Sequence, residues 1–195
     1  MSVQYTQNQT YGSALKSASS LAGTLKNIRT KVPVKTISQN YGNLTNAIRG
    51  QQPGTGTALE KLKNLGPTTT QYGGKTRYES FHPGVDVAAP EGTNIPAFTG
   101  GKVTESVTGM KQGDKGYGNY VVVTDSNGMK VRYSHLNQTY VPVGATVTTG
   151  QNIGTEGNTG STYSNTGGSG AHLDLRIQDA YGRYVNPSIY LGYAK

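Results

Sequence analysis

The stretch Tyr120-Val121-Val122-Val123-Thr124-Asp125-Ser126-Asn127-Gly128-Met129-Lys130-Val131-Arg132-Tyr133 decides the fold class. Two runs of β-branched and aromatic residues flank Asn127-Gly128, a dipeptide that readily takes the positive φ a tight hairpin turn requires. The reading is therefore strand, turn, strand, with the partners antiparallel. Outward from this hairpin the same texture continues. Val85, Val87 and Ala89 alternate with other residues, as do Leu173, Leu175 and Ile177 with Asp174 and Arg176. Val141–Val147 and Ile153 extend the pattern. Short strands separated by Gly-rich turns predict a mainly β protein, an antiparallel barrel or sandwich over residues 71–195.

Composition agrees. The 195 residues include 28 Gly and 14 Tyr with only 14% charged side chains, which suits strands and tight turns better than a helical bundle. There is no Cys, which excludes disulfide scaffolds, Cys-based zinc sites and thiol nucleophiles. No run of apolar residues is long enough to span a membrane as a helix.

Residues 1–70 read differently, as a short α-helical or partly disordered N-terminal arm. Residues 1–12 are polar and offer nothing to bury. Apolar residues recur at helical spacing over 13–32, again at Ile37, Tyr41, Leu44 and Ile48, and at Leu59, Leu62 and Leu65. Pro33, Pro53-Gly54 and Gly66-Pro67 punctuate them. The faces are narrow and predict packing on a partner, on another copy of the chain or on the β domain. This segment holds eight Lys and Arg against the single acid Glu60, so most of the chain's +8 net charge lies here. Such an arm suits an acidic partner. Nucleic acid is not the expected one, because aromatic interleaving is sparse. The opening Met1-Ser2-Val3-Gln4-Tyr5-Thr6-Gln7-Asn8-Gln9-Thr10 lacks the apolar run of a signal peptide, which predicts a route other than ordinary secretion.

The residues able to do chemistry lie in the β domain. All three histidines are there: His82, His135 and His172. His82-Pro83-Gly84-Val85-Asp86 puts a His on a turn that enters a strand. If Val85 and Val87 face the core, Asp86 faces the other way and can meet His82 around a common ion. In His172-Leu173-Asp174, positions i and i+2 share a strand face. His135 ends the strand that closes the hairpin. This set of imidazoles and carboxylates suits one divalent ion together with acid–base groups. Between these elements, Asn158-Thr159-Gly160 recurs as Asn165-Thr166-Gly167. The Gly157–Gly170 loop that carries them runs directly into His172, and loops of this length are often functional.

At this point the chain resembles the zinc metalloendopeptidases of the lysostaphin/LytM type, which cut peptide bonds in peptidoglycan. The resemblance runs from about Gln71 to the C-terminus. It is carried by Phe81-His82-Pro83-Gly84-Val85-Asp86-Val87-Ala88-Ala89-Pro90, by Tyr117-Gly118-Asn119-Tyr120 and by Tyr133-Ser134-His135-Leu136. Gly157-Asn158-Thr159-Gly160 and Asn186-Pro187-Ser188-Ile189-Tyr190-Leu191 follow in order. The resemblance implies that His82 and Asp86 are zinc ligands. It implies that His135 and His172 flank the attacking water and the scissile carbonyl. The family's third ligand is the last His of a His-x-His motif; here that position is Asp174. A carboxylate can hold zinc at about 2.0–2.2 Å. It would make the centre neutral, with Zn²⁺ expected and Mn²⁺ a second choice. Tyr117, Tyr133 and Asn158 are the candidates for the substrate cleft.

The expected function is a metal-dependent peptidoglycan endopeptidase carried by a bacteriophage virion and acting on the host cell wall or periplasm. Residues 1–70 would fasten it to virion structural proteins. The alternative is a catalytically degenerate module that grips peptidoglycan or serves as a structural virion component.

Overall fold

The computed structural model describes residues 57–164 and 166–193. The apolar stripes at 13–32 and 37–48, and Asn165, lie outside these residues. In chain order the elements are α1 (Ala58–Leu65), β1 (Thr68–Thr70), β2 (Gly84–Val87), β3 (Asn94–Pro96), β4 (Gly101–Val107) and β5 (Asn119–Thr124). They continue with β6 (Lys130–Leu136), β7 (Gln138–Thr139), β8 (Thr146–Val147), β9 (Asn152–Thr155), β10 (Leu173–Gln178), β11 (Tyr184–Val185) and α2 (Pro187–Tyr193). Among the described residues no helix is long and apolar enough to cross a membrane.

The hairpin forms where the sequence places it. β5 and β6 pair antiparallel with Val121 opposite Tyr133 and Val123 opposite Val131. The Asp125 carboxylate closes the turn by accepting from the Asn127 and Met129 amides at 2.8 and 2.9 Å. The large sheet has the order β1-β2-β10-β6-β5-β4-β8, with β11 on β10, and a second sheet has the order β3-β9-β7. Every strand pairing in both is antiparallel. Among the described residues β1 and β8 do not pair with each other, so the large sheet is open and the architecture is two sheets around one core. The large sheet supplies Val85, Val87, Val121, Val123, Val131, Leu173, Leu175 and Ile177 to that core, and the small one Ile95 and Ile153.

Two sequence expectations change. The segment 57–70 is part of the β domain, not of an arm. α1 begins with a capping box in which the Glu60 amide donates to Thr57 Oγ1 and the Thr57 amide to Glu60 Oε2. It buries Ala58 and Leu62 in the common core, packs against α2 and β2, and is followed by β1, which pairs with β2. The apolar stripe was legible, but the sequence carries no mark of which surface it covers. Second, most of Val141–Val147 is a turn, with Ala145 donating to the Pro142 carbonyl and only Thr146–Val147 in a strand. Pro142 has no amide to give a ladder, and Gly144 takes φ 91°.

Candidate metal centre

β2 and β10 are neighbours, and their register sets Asp86 opposite Asp174 and Gly84 opposite Arg176. Val85, Val87, Leu173 and Leu175 point into the core. Alternation then sends Asp86, Asp174 and Arg176 to the outer face. His82, on the turn before β2, reaches the same face. One donor atom from each of His82, Asp86 and Asp174 lies within 4.8 Å of the others, and all three residues are buried. His82 Nε2 is 3.0 Å from Asp86 Oδ1 and 3.7 Å from Asp174 Oδ1.

The fit to a cation can be judged from the orphaned atoms. His82 Nε2 and Asp86 Oδ1 are both buried, and neither has a hydrogen-bond partner although they face each other. His82 Nδ1 donates to Glu79 Oε2 at 2.9 Å, which leaves Nε2 aimed at the Asp86 carboxylate with only a proton or a metal ion able to sit between them. Two acceptors at that distance want a cation between them. Bonds of the length expected for zinc would put tetrahedral ligands about 3.3–3.6 Å apart, close to the separations seen. Three carboxylates gather here, and the one guanidinium pairs with Glu79 and Asp174 but leaves Asp86 facing His82. A divalent ion therefore suits both the geometry and the charge.

Arg176 is that guanidinium. Its Nε donates to both Asp174 oxygens, at 3.0 and 2.8 Å. Its Nη1 and Nη2 donate to the two Glu79 oxygens at 2.8 and 3.0 Å. Gly84 is required beneath this pair: a Cβ there would lie 2.8 Å from both Asp174 Oδ1 and Arg176 Cγ. Burial opposes the charge on Arg176, yet Asp174 and Glu79 hold it firmly protonated. Burial pushes the Asp174 carboxyl up to about 6, against the pull of Arg176. Burial also works against charge on His82, but the facing Asp86 carboxylate, with Asp174 and Glu79, holds its pKa above the ordinary value. Asp86 sits below the usual carboxylate range: burial opposes this, and His82 and His172 outweigh it.

The other two imidazoles form a pair beside the triad, with ring centroids 4.7 Å apart. His135 Nδ1 donates to the Thr159 carbonyl and His172 Nδ1 to the Gly170 carbonyl, each at 2.7 Å. Both therefore keep Nε2 for the cleft they line. His135 has φ 62°, the one non-glycine residue with positive φ among those described. Such strain persists only where surroundings enforce it. Here the His135 amide donates to the Tyr117 carbonyl, and its ring is tied to the 157–160 turn. That turn packs closely on the 116–118 turn, since a Cβ on Gly160 would meet Gly118 N at 2.3 Å. Burial, reinforced by His172, lowers the His135 pKa to about 4, so its ring is neutral near neutral pH.

The cleft has a volume of about 880 Å³. Tyr117 lines it, and so does much of the Gly157–Gly170 loop. Tyr78 and Tyr163 meet edge to face across it, 5.4 Å between centroids. Tyr133 is not a cleft residue. It is fully buried, its ring stacks on Phe98, and its hydroxyl accepts from the Phe98 amide at 2.7 Å. The alternation that buries Val131 also buries Tyr133. Asn158 does not line the cleft either; its carbonyl accepts from Thr162 Oγ1, and the neighbouring Thr159 makes the contact to His135. Glu79 and Arg176 had no place in the sequence-based site. Arg176 was accessible to the same i, i+2 logic that paired His172 with Asp174. Glu79 was not, since no spacing rule links a turn residue to a strand 97 positions away.

Residues 80–187 match the sequence profile of Peptidase family M23. Over 111 residues the chain is 38% identical to peptidoglycan DD-endopeptidase ShyA of Vibrio cholerae, covering 57% of this chain and 23% of that protein. It is 32% identical over 127 residues to murein hydrolase activator EnvC of Escherichia coli, covering 65% of this chain and 27% of that protein. The chain thus spans about a quarter of the length of these curated relatives. Among solved structures, the catalytic domain of lysostaphin from Staphylococcus simulans superposes with a TM-score of 0.57 at 27% identity, covering 69% of this chain and 98% of that one.

Proposed function

The chain belongs to peptidase family M23, and from that premise we propose that it is a metal-dependent endopeptidase that hydrolyses peptide bonds of peptidoglycan. The observation that carries this reading is the meeting of two orphaned acceptors, His82 Nε2 and Asp86 Oδ1, beside Asp174, next to a pair of imidazoles that both offer Nε2 to one cleft. His82, Asp86 and Asp174 would hold one ion, and zinc best fits a donor set of imidazole and carboxylates in a small site. The bound ion would supply Lewis acidity toward the scissile carbonyl.

The remaining work belongs to the chain's own residues. His135, neutral and fixed by its Nδ1 bond, presents Nε2 as the proton acceptor for the attacking water. His172 Nε2 faces the same space and, when it carries the proton, hydrogen-bonds the carbonyl oxygen as charge develops there. Tyr78, Tyr117 and Tyr163 give the cleft flat walls suited to an extended peptide. The name of the Vibrio cholerae relative, a peptidoglycan DD-endopeptidase, supports this substrate class.

A second reading has two points in its favour. Both oxygens of Asp174 are engaged by Arg176, and the Escherichia coli relative is named a hydrolase activator. On that reading the domain grips peptidoglycan without cutting it. We further propose that the basic N-terminal segment fastens the domain to a larger assembly such as a virion; its charge supports this role.

The test is release of soluble peptides from purified peptidoglycan by the full chain, with zinc, after chelation and after zinc is restored. Loss and recovery of hydrolysis support the enzyme. Binding to peptidoglycan without hydrolysis at any zinc concentration replaces it with the second reading.

A further inference from the structure

In His172-Leu173-Asp174-Leu175-Arg176 the i, i+2 spacing places a carboxylate and a guanidinium side by side on the outer face of β10. Arg176 touches no other acid than Asp174 and Glu79 among the described residues. Its plane is also covered by the Tyr117 ring, 4.9 Å from guanidinium carbon to centroid. Tyr117 Oη accepts from Nη1 at 3.3 Å. Gly84 opens the space in which the pair lies. The guanidinium is thus held by three residues, Asp174, Glu79 and Tyr117, in the orientation that grips Asp174.

We propose that Asp174 and Arg176 act as one ligand unit. Arg176 is a positioning residue that aims the Asp174 carboxylate and cancels its charge, so the pair stands in for a single neutral donor. This rests on the metal-centre reading above. A carboxylate has about four lone-pair sites, and a guanidinium Nε shared between its two oxygens leaves others free for an ion. Counted as a pair, Asp174 and Arg176 contribute no net charge. The donor set is then as negative as one Asp with two imidazoles, and the neutral centre expected from Asp174 alone no longer follows. Glu79 stands behind both Arg176 and His82, where partial exposure lets water screen it. Its carboxylate links the ligand His82 to the positioning residue Arg176 by holding His82 Nδ1 and both Arg176 Nη groups.

The pairing has a consequence for reversion. Asp174→His by itself would leave the Arg176 guanidinium without its main partner, beside a cation. A neutral residue at 176 would have to accompany it.

The experiment measures zinc affinity of the metal-stripped full chain by competition with a chromophoric chelator, with far-UV circular dichroism to establish folding. The proteins are wild type, D174H, R176Q, D174H/R176Q and R176K. R176K keeps the charge but not the planar fork, and is expected to weaken zinc binding about tenfold. D174H/R176Q is expected to bind about tenfold or more tightly than D174H, because the stranded cation is gone. R176Q in the Asp174 background should give no such gain. The proposal is overturned if R176Q changes affinity by the same factor in both backgrounds, or if R176K binds like wild type. Should R176Q alone fail to fold, R176K and the D174H versus D174H/R176Q comparison decide by the same criteria. A wild type that takes up no zinc overturns the metal-centre reading and this proposal together; zinc binding with an additive cycle overturns this proposal only.

Discussion

Asp86 and Asp174 stand directly opposite each other on adjacent antiparallel strands, and both are buried. Like charges in that relationship destabilise a sheet, and removing them from water raises the cost. A bound cation would turn this liability into a crosslink between β2 and β10. Saturating zinc at about a hundredfold over its Kd should therefore raise Tm of the metal-stripped chain by about 5–10 °C. Asp86→Asn should abolish that rise without lowering the Tm of the stripped protein. Differential scanning calorimetry with and without zinc checks both; an unchanged Tm on zinc addition counts against the centre.

His135→Ala and His172→Ala should each reduce peptidoglycan hydrolysis by about 10²–10⁴-fold. Zinc content should stay near that of the wild type, because their Nδ1 atoms bond backbone carbonyls and neither residue belongs to the triad. Elemental analysis beside the hydrolysis assay separates the two effects. Loss of zinc in either variant would make that histidine a ligand.

Gly84→Ala tests the close packing under the Asp174–Arg176 pair. The new methyl would sit 2.8 Å from Asp174 Oδ1 and from Arg176 Cγ. Overpacking of this kind costs about 1–3 kcal/mol. The variant should still melt cooperatively but bind zinc at least about tenfold more weakly. Chelator competition on the folded variant is the measurement, and wild-type affinity would show that the carboxylate can move freely.

Glu156 supplies a pH dependence outside the metal centre. It is fully buried, with Oε1 accepting from the Ala89 amide at 2.6 Å and Oε2 unpartnered. Burial raises its pKa from the ordinary 4.5 to about 7, against the Ala89 bond. The folded state therefore holds this proton more tightly than the unfolded state. Its contribution to stability is fully present below 4.5 and is lost as pH rises through about 7. Glu156→Gln removes that slope. The variant should match wild type at the acid end of the window and exceed it by on the order of 1–3 kcal/mol above it. Urea melts of both proteins across the window check the sign.

Residues 57–70 should prove necessary to the domain. A chain beginning at residue 51 should melt cooperatively. One beginning at residue 71 loses the buried Ala58 and Leu62 and the β1 pairing to β2. Leu62→Ala in the full chain should cost about 2–5 kcal/mol. Thermal melts of the three proteins are the measurement, and equal midpoints would return α1 to the role of an appended arm.

Local rules carried a large part of this molecule. Asn127-Gly128 marked the β5–β6 hairpin because turn geometry depends on a few adjacent residues. Alternation of period two placed Asp86, His172 and Asp174 outside the core, since side-chain direction along a strand is a property of the strand itself. Tyr133 obeys the same rule and belongs to the core, not to the cleft expected for it.

Which outward-facing groups meet was settled by contacts distant in the chain. The β2–β10 register sets Asp86 against Asp174, and the turn before β2 brings Glu79 to Arg176 across 97 positions of chain. Leu62 found its place in the same way, against a second helix more than a hundred residues downstream. Periodicity is written into neighbouring residues, but register and packing are settled by the summed burial and hydrogen bonding of the whole domain. Local pattern therefore specified the β class and singled out His82, Asp86 and Asp174 as a group. The fold determined that Asp174 comes with a guanidinium attached.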